Sequence, residues 1–331
     1  MQTAAPAQAA LSTANVLCDV NEAGEQQLVY THGGGPNPVN TPIDETLAYN
    51  FAWTCDSKGR TIVGNGVPNH AVTGGQFASK LTAQNISQTF PVHPALLDHV
   101  TRVKEPGYAL NSIKFEPGTA GTCPDDATSD TQCDYGRGSD TWSMVATAGQ
   151  VSPWKFGFGV DENDAHVQPN GQYHYHGIPV KLIEKLNPDS KTSMTLVGWA
   201  SDGFPMYSVE GFSKPDDATS AITEIQSSYQ LVAAAAPDRP AAADFPLGHF
   251  MQDWEYVAGS GDLDECNGRF GVTPEFPLGI YHYNLTKTYP FVQRCVKGTS
   301  TATRPRGGGP GGPGGPGPGG PGGRRGPPPP R

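Results

Sequence analysis

Short apolar or aromatic runs recur along the chain: QLVYTH from 27, LAYNFAWTC from 47, YALNSIKFEP from 108, MTLVGWA from 194 and IYHYNLT from 280. Each is bounded by Gly, Pro, Asn or Asp, and runs of that length with those boundaries predict strands. Three stretches have the spacing of short helices instead, PALLDHVTRVK at 94–104, VKLIEKL at 180–186 and EIQSSYQLVAAAA at 224–236, each ended by Gly or Pro. The expected fold class is therefore mainly β, all-β or β-rich α+β: a disulfide-stabilised sheet or sandwich with long loops and few short helices. A polar-Gly-apolar-Pro punctuation repeats at NGVP (65), HGIP (176) and DGFP (202), and Tyr-His-Tyr occurs at 173–175 and again at 281–283. These repeats suggest two related sub-structures, about 16–150 and 151–303, inside one large domain spanning 16–303.

Composition separates the ends from this body. Residues 304–331 consist of 13 Gly, 10 Pro and 5 Arg, with no side chain able to build a core, so this tail is expected to be a disordered cationic tether. Its glycines keep a three-residue register from Gly308 to Gly326, too short a run to form a collagen helix alone. Without the tail, 17 basic face 32 acidic side chains, and a body of that charge is not expected to bind nucleic acid. No run of eighteen apolar residues is present, so no transmembrane segment is expected.

Six cysteines, Cys18, Cys55, Cys123, Cys133, Cys266 and Cys295, form an even set without a C-x-x-C spacing. That favours three disulfides over a zinc ribbon. Cys123 and Cys133 flank a polar loop and form the strongest expected pair. Cys18 with Cys55 and Cys266 with Cys295 follow from proximity alone, among fifteen possible connectivities. Disulfides, together with an Ala-rich polar opening (residues 1–15, expected to be disordered), predict an exported chain, periplasmic or extracellular, in mature form behind a start Met.

The densest chemistry lies in GVDENDAHVQPNGQYHYHGIP, residues 159–179. Pro169, Asn170 and Gly171 supply turn residues between two polar-aromatic strands. Alternate strand residues share a face, which puts His174 and His176 on one side and Tyr173 and Tyr175 on the other. A three-residue loop would set Gln168 against Gln172, His166 against His174 and Asp164 against His176. A two-residue Asn170-Gly171 turn would set His166 against Tyr175, on the wrong face, so register is decisive. In the first register the expected metal ligands are His166, His174, His176 and Asp164, with His282 a further candidate from a distant strand. Tyr173, Tyr175, Asp161 and Asp202 are expected to support the site or touch substrate. Clustered neutral imidazoles suit a divalent transition metal, copper or zinc, and open positions would permit catalysis. The competing reading is a polar core in which the histidines hydrogen-bond one another.

A second cluster, Asp262, Asp264, Glu265 and Asn267, offers the hard oxygen ligands that calcium prefers, but it lacks EF-hand spacing and carries Thr273 where the bidentate Glu should lie. Trp154, Phe156, Phe158, Trp199 and Trp254 could form a platform for polysaccharide or another cell-surface polymer, although in a β-rich chain such aromatics are more often core. The sequence has no G-x-S-x-G elbow, P-loop, H-E-x-x-H helix or dinucleotide fingerprint, so no familiar hydrolase, kinase or dehydrogenase mechanism is supported.

The chain resembles the YHYH-domain proteins, through Tyr173–His176 and through NGVPNH (65–70), ALNSIKFEPGTA (109–120), GVDENDAHVQPNGQYHYHGIP (159–179), LVGWASDGFPMY (196–207) and LDECNGRFGVTPEFPLGIYHY (263–283). The likeness covers roughly residues 60–298. It departs at ALNSIKFEP, where relatives read closer to ALNGVPF. The resemblance implies an exported, bacterial-type protein with a Gly-Pro-Arg-rich tail and supplies no settled activity. The functional expectation is an exported metal-binding protein, with a secreted calcium- or polysaccharide-binding protein as the alternative.

Overall fold

The computed structural model describes residues 13, 16–34, 37–119, 121–134, 138–147 and 159–301. Apart from Thr13, the N-terminal segment 1–15 and the tail lie outside the described residues, as do Trp154, Phe156 and Phe158.

Two sheets dominate. The first has five strands, β1 (Val20–Gly34), β2 (Asn37–Cys55), β3 (Arg60–Gly64), β4 (Val72–Phe77) and β5 (Ile86–Phe90), in the order β4-β1-β2-β3-β5. Alternation drives it: in QLVYTH, Leu28 and Tyr30 are buried while Val29 between them is exposed. The second has eight short strands: β7 (Gly107–Ala109), β8 (Lys114–Phe115), β11 (Ala165–Val167), β12 (Tyr173–Tyr175), β13 (Leu196–Ala200), β14 (Pro205–Tyr207), β19 (Gly268–Gly271) and β20 (Ile280–Asn284). Their order is β11-β12-β8-β7-β13-β14-β20-β19. Two-stranded pairs complete the structure: β6 (Thr101–Arg102) with β21 (Cys295–Val296), β9 (Thr122–Cys123) with β10 (Trp142–Ser143), β15 (Glu210–Phe212) with β16 (Ile222–Glu224), and β17 (Tyr229–Leu231) with β18 (Trp254–Tyr256).

One apolar cluster runs from Leu28 and Trp53 of the first sheet to Phe115, Tyr175, Trp199 and Tyr283 of the second. Two polar ties cross it. The Trp53 indole N–H donates to the Leu110 carbonyl at 2.8 Å, and the Arg60 guanidinium lies 3.6 Å from the centre of the Trp199 ring. Trp199 is fully buried, the core placement that is commoner for such aromatics, and so does not belong to a carbohydrate platform.

Of the three expected helices only one forms. Val180–Leu186 is helix α1, which buries Leu182 and Ile183 and ends before Pro188. Its Lys185 reaches Glu22 of β1 at 2.7 Å. Residues 94–104 are not helical, because Thr101 and Arg102 pair with Val296 and Cys295 of β21. Residues 224–236 are likewise taken by sheet, with Tyr229–Leu231 paired to Trp254–Tyr256. Short segments have weak intrinsic helicity, and an available partner strand decides against it. The run YALNSIKFEP is two strands rather than one, folded back at Leu110–Ile113, with Ser112 at φ +67°.

The cysteines pair as Cys18–Cys55, Cys123–Cys133 and Cys266–Cys295, and no free cysteine is left. Three disulfides are what an oxidising compartment permits, which is consistent with export. Among the described residues, no helix is long and apolar enough to cross a membrane.

Candidate metal centre

The hairpin β11–β12 forms one edge of the eight-stranded sheet. Gln168 N–H donates to the Gln172 carbonyl at 2.9 Å, enclosing Pro169, Asn170 and Gly171. Gly171 sits at φ +86°, the left-handed position of a three-residue hairpin loop, and a Cβ there would strike Thr82. The loop fixes the register Ala165↔Tyr175, His166↔His174 and Val167↔Tyr173. This is the three-residue alternative, which puts the three histidines on one face.

Their rings pack edge to face. The centroids of His166 and His174 are 4.7 Å apart, those of His166 and His176 4.7 Å, and those of His174 and His176 4.6 Å. His166 Nε2 lies 3.0 Å from His176 Nε2. One ligand atom from each ring falls within 4.8 Å of the other two. Tetrahedral coordination at zinc–nitrogen distances of about 2.0 Å separates nitrogens by roughly 3.3 Å, close to the His166–His176 spacing, and the widest spacing in the cluster is about 1.5 Å beyond it. His174 and His176 are buried and His166 is half-buried, so access is from the His166 side. Burial, followed by the neighbouring imidazoles, pushes both His174 and His176 well below the ordinary histidine range. Both are therefore neutral, the form a metal requires.

The other expected ligands fall elsewhere. Asp164, at φ +51°, is a turn residue. Its carbonyl accepts the His176 N–H at 2.7 Å and its carboxylate accepts the Ile178 N–H at 2.9 Å. It thus orients the backbone of His176 and is not one of the clustered ligand groups. His282 is five strands away across the sheet, on β20. Its Nδ1 is 3.0 Å from the Ile280 carbonyl and its ring meets Tyr207 edge to face.

The supporting residues also differ from expectation. Tyr173 and Tyr175 point away from the histidines into the core. Tyr173 O–H donates to Asp161 at 2.5 Å, and Tyr175 O–H lies 2.6 Å from His70 Nε2 and 2.9 Å from Asn111 Nδ2. Burial pushes Asp161 up to about 7, although its carboxylate also accepts the N–H groups of Asn163 and Ala165. Asp202 belongs to the β13–β14 turn, where it accepts the Tyr283 O–H at 2.7 Å and the Gly298 N–H at 2.8 Å.

Among the described residues, the acidic cluster at 262–267 is not grouped as a possible metal site. Asp264 accepts the N–H groups of Cys266 and Gly268 and the Tyr281 hydroxyl, and it pairs with Lys297. Glu265 pairs with the same lysine, Asp262 accepts the Gln226 N–H, and the Asn267 side chain donates to Asn284 and Thr286. Asp264 is thus fully engaged by the fold, and Asp262 and Glu265 each give one oxygen to it. Among the described residues, the three histidines are the group of His, Cys, Asp or Glu side chains placed to hold a metal ion.

Sequence reasoning missed Glu116. Strand β8 runs parallel to β12 with Phe115 opposite Tyr175, so Lys114 and Glu116 share the face of His174 and His176. Glu116 is buried and meets Lys104 at 2.7 Å, Lys114 at 2.7 Å and Gln168 Nε2 at 2.7 Å. Burial pushes its carboxyl up, but Lys114 and Lys104 more than offset this and hold it below the usual carboxylate range. A fixed anion therefore stands beside the histidines. No local signal marks it, because Lys104 and Gln168 lie in separate segments and the hairpin is reached only through strand pairing.

No curated protein matches the chain, and no solved structure does. A family model described as YHYH protein matches residues 87–298, which include the hairpin, both Tyr-His-Tyr runs and Glu116. The chain belongs to the YHYH protein family.

Proposed function

We propose that this chain is an exported protein that binds one divalent transition-metal ion, zinc or copper, through His166, His174 and His176. The observation that carries this is the convergence of three imidazoles, two of them buried and held neutral, within 4.8 Å on one strand face. Three histidine nitrogens match a known zinc ligand set. Three protein ligands leave a fourth position for water or substrate, reached from the half-buried His166. Glu116 carries a buried negative charge on the same face, where it offsets the charges of Lys114 and Lys104 beside the triad.

Elemental analysis of the chain, purified without added metal and without a His-tag, tests the reading. About one zinc or copper per chain is expected, with none in the His174→Ala, His176→Ala variant. No transition metal in the wild-type chain, and none taken up on titration, would leave the histidines as a hydrogen-bonded core.

A further inference from the structure

The strand order of the eight-stranded sheet has the same plan from either end. Hairpin β7–β8 is followed by hairpin β11–β12, whose second strand lies parallel to β8. Hairpin β13–β14 is followed by hairpin β19–β20, whose second strand lies parallel to β14. The two sets meet where Gly107, Tyr108 and Ala109 pair antiparallel with Ala200, Trp199 and Gly198, the symmetric pairing of Gly-Tyr-Ala with Gly-Trp-Ala about a two-fold axis.

The correspondence extends to individual hydrogen bonds. In the first set Asp161 accepts the Asn163 and Ala165 N–H groups and the Tyr173 hydroxyl. In the second Asp264 accepts the Cys266 and Gly268 N–H groups and the Tyr281 hydroxyl. Asp164 at φ +51° answers to Asn267 at φ +58°, and their carbonyls accept the N–H groups of His176 and Asn284. Asn111 meets Tyr175 as Asp202 meets Tyr283. The register His166↔His174 becomes Arg269↔His282. Each triad position thus has a counterpart: His166 in Arg269, His174 in His282 and His176 in Asn284.

His282 keeps the orientation of its counterpart. Its Nδ1 lies 3.0 Å from the carbonyl two residues before it, as that of His174 lies 3.4 Å from the Gln172 carbonyl. His282 Nε2, Asn284 Oδ1 and Arg269 Nε are all buried without a hydrogen-bond partner. Orphaned buried polar atoms need an explanation, and three of them at the positions of a metal ligand set are what remains when the set loses two ligands. Arg269 also sets a guanidinium, which has no lone pair to give, at the position of a ligand. Glu116 has Tyr207 as its counterpart, so the acidic side chain beside the first centre is replaced by a ring against His282.

We infer that the sheet is an internal duplication and that its second copy carries a vacated metal centre at Arg269, His282 and Asn284, which two histidine substitutions would reopen. The copies divide between β12 and β13, not near residue 150 as the sequence repeats suggest. The inference builds on the metal reading of the first copy.

The test is the Arg269→His, Asn284→His chain, loaded with zinc alone, desalted and measured by elemental analysis. It should hold two zinc ions where the wild type holds one. It should still hold one when His174 and His176 are also changed to Ala, and adding His282→Ala should remove that ion. A folded chain that holds no more zinc than its parent in either background overturns the inference. Should the new histidines prevent folding, the reciprocal exchange carries the test: His166→Arg, His176→Asn should fold, because the second copy folds with that set, and should hold no zinc. Failure of this reciprocal chain to fold overturns the inference. A wild-type chain without zinc beside an Arg269→His, Asn284→His chain that binds it rejects the proposed function and leaves this inference standing.

Discussion

His166 and His176 stand with their Nε2 atoms 3.0 Å apart, although ten residues and a chain reversal separate them. The contact depends on Gly171, whose left-handed backbone closes a three-residue loop, and on the His166↔His174 register that this loop imposes. A register one residue different would turn His166 to the opposite face.

Gly171→Ala tests that dependence. A left-handed non-glycine residue costs roughly 1–2 kcal/mol, and here the added methyl also meets Thr82. Chemical denaturation should show a loss of at least that size, and zinc titration should show weaker binding in the chain that remains folded. Unchanged stability and affinity would mean that the loop does not set the site.

Glu116→Gln should weaken metal affinity, because it leaves the charges of Lys114 and Lys104 beside the triad without their anion. The same change leaves Lys114 and Lys104 without their shared partner, so the thermal midpoint should fall as well. Competition with a chelating dye measures the first effect and calorimetry the second. Equal metal affinity in the two chains would remove Glu116 from the site.

Acid should destabilise the fold, with a sign that follows from buried imidazoles. Burial pushes His70 down to about 4, His249 to about 4 and His282 to about 3, against an ordinary value near 6.5. A lowered folded value means that stability is fully present above pH 6.5 and is lost as pH falls through the folded value. Each such histidine contributes roughly 1.4 kcal/mol per pH unit within that window. Asp161, pushed up to about 7, acts in the opposite sense, since its raised value favours the fold at low pH and that gain is lost on passing above 7. Asp202 is raised too, but two carboxyls oppose five lowered imidazoles, so the net effect is loss on acidification. Denaturation midpoints from pH 7 to pH 4 should fall, and His70→Gln should flatten the slope. A steeper slope in that variant would contradict the assignment.

Removing Cys266–Cys295, which closes a span of 29 residues at the second Tyr-His-Tyr hairpin, should cost roughly 3–4 kcal/mol through loop entropy. Thermal unfolding of the Cys266→Ser, Cys295→Ser chain measures it. No change would mean that the bridge adds nothing to the packing around β20.

Local chemistry was legible without the fold. Strands at QLVYTH, LAYNFAWTC, MTLVGWA and IYHYNLT follow from short-range alternation, and helix 180–186 from its apolar spacing and the proline beyond it. The three disulfides join cysteines that are neighbours in the chain order. The histidine cluster was visible because all three residues lie in one hairpin, where loop length and side-chain alternation fix the geometry within eleven residues.

The tertiary structure decided what depends on partners far apart in sequence. Segments 94–104 and 224–236 became extended because strands from other parts of the chain claimed them. Glu116 reached the histidine face through one parallel pairing, Phe115 with Tyr175, across sixty residues. The oxygens of Asp264, which look like ligands in the sequence, were committed to the second hairpin, and His282 was set five strands from the triad with its Nε2 unpartnered. A sequence shows which groups can bind a metal. Only the folded chain settles which of them converge, because convergence depends on which strands pair and in what register.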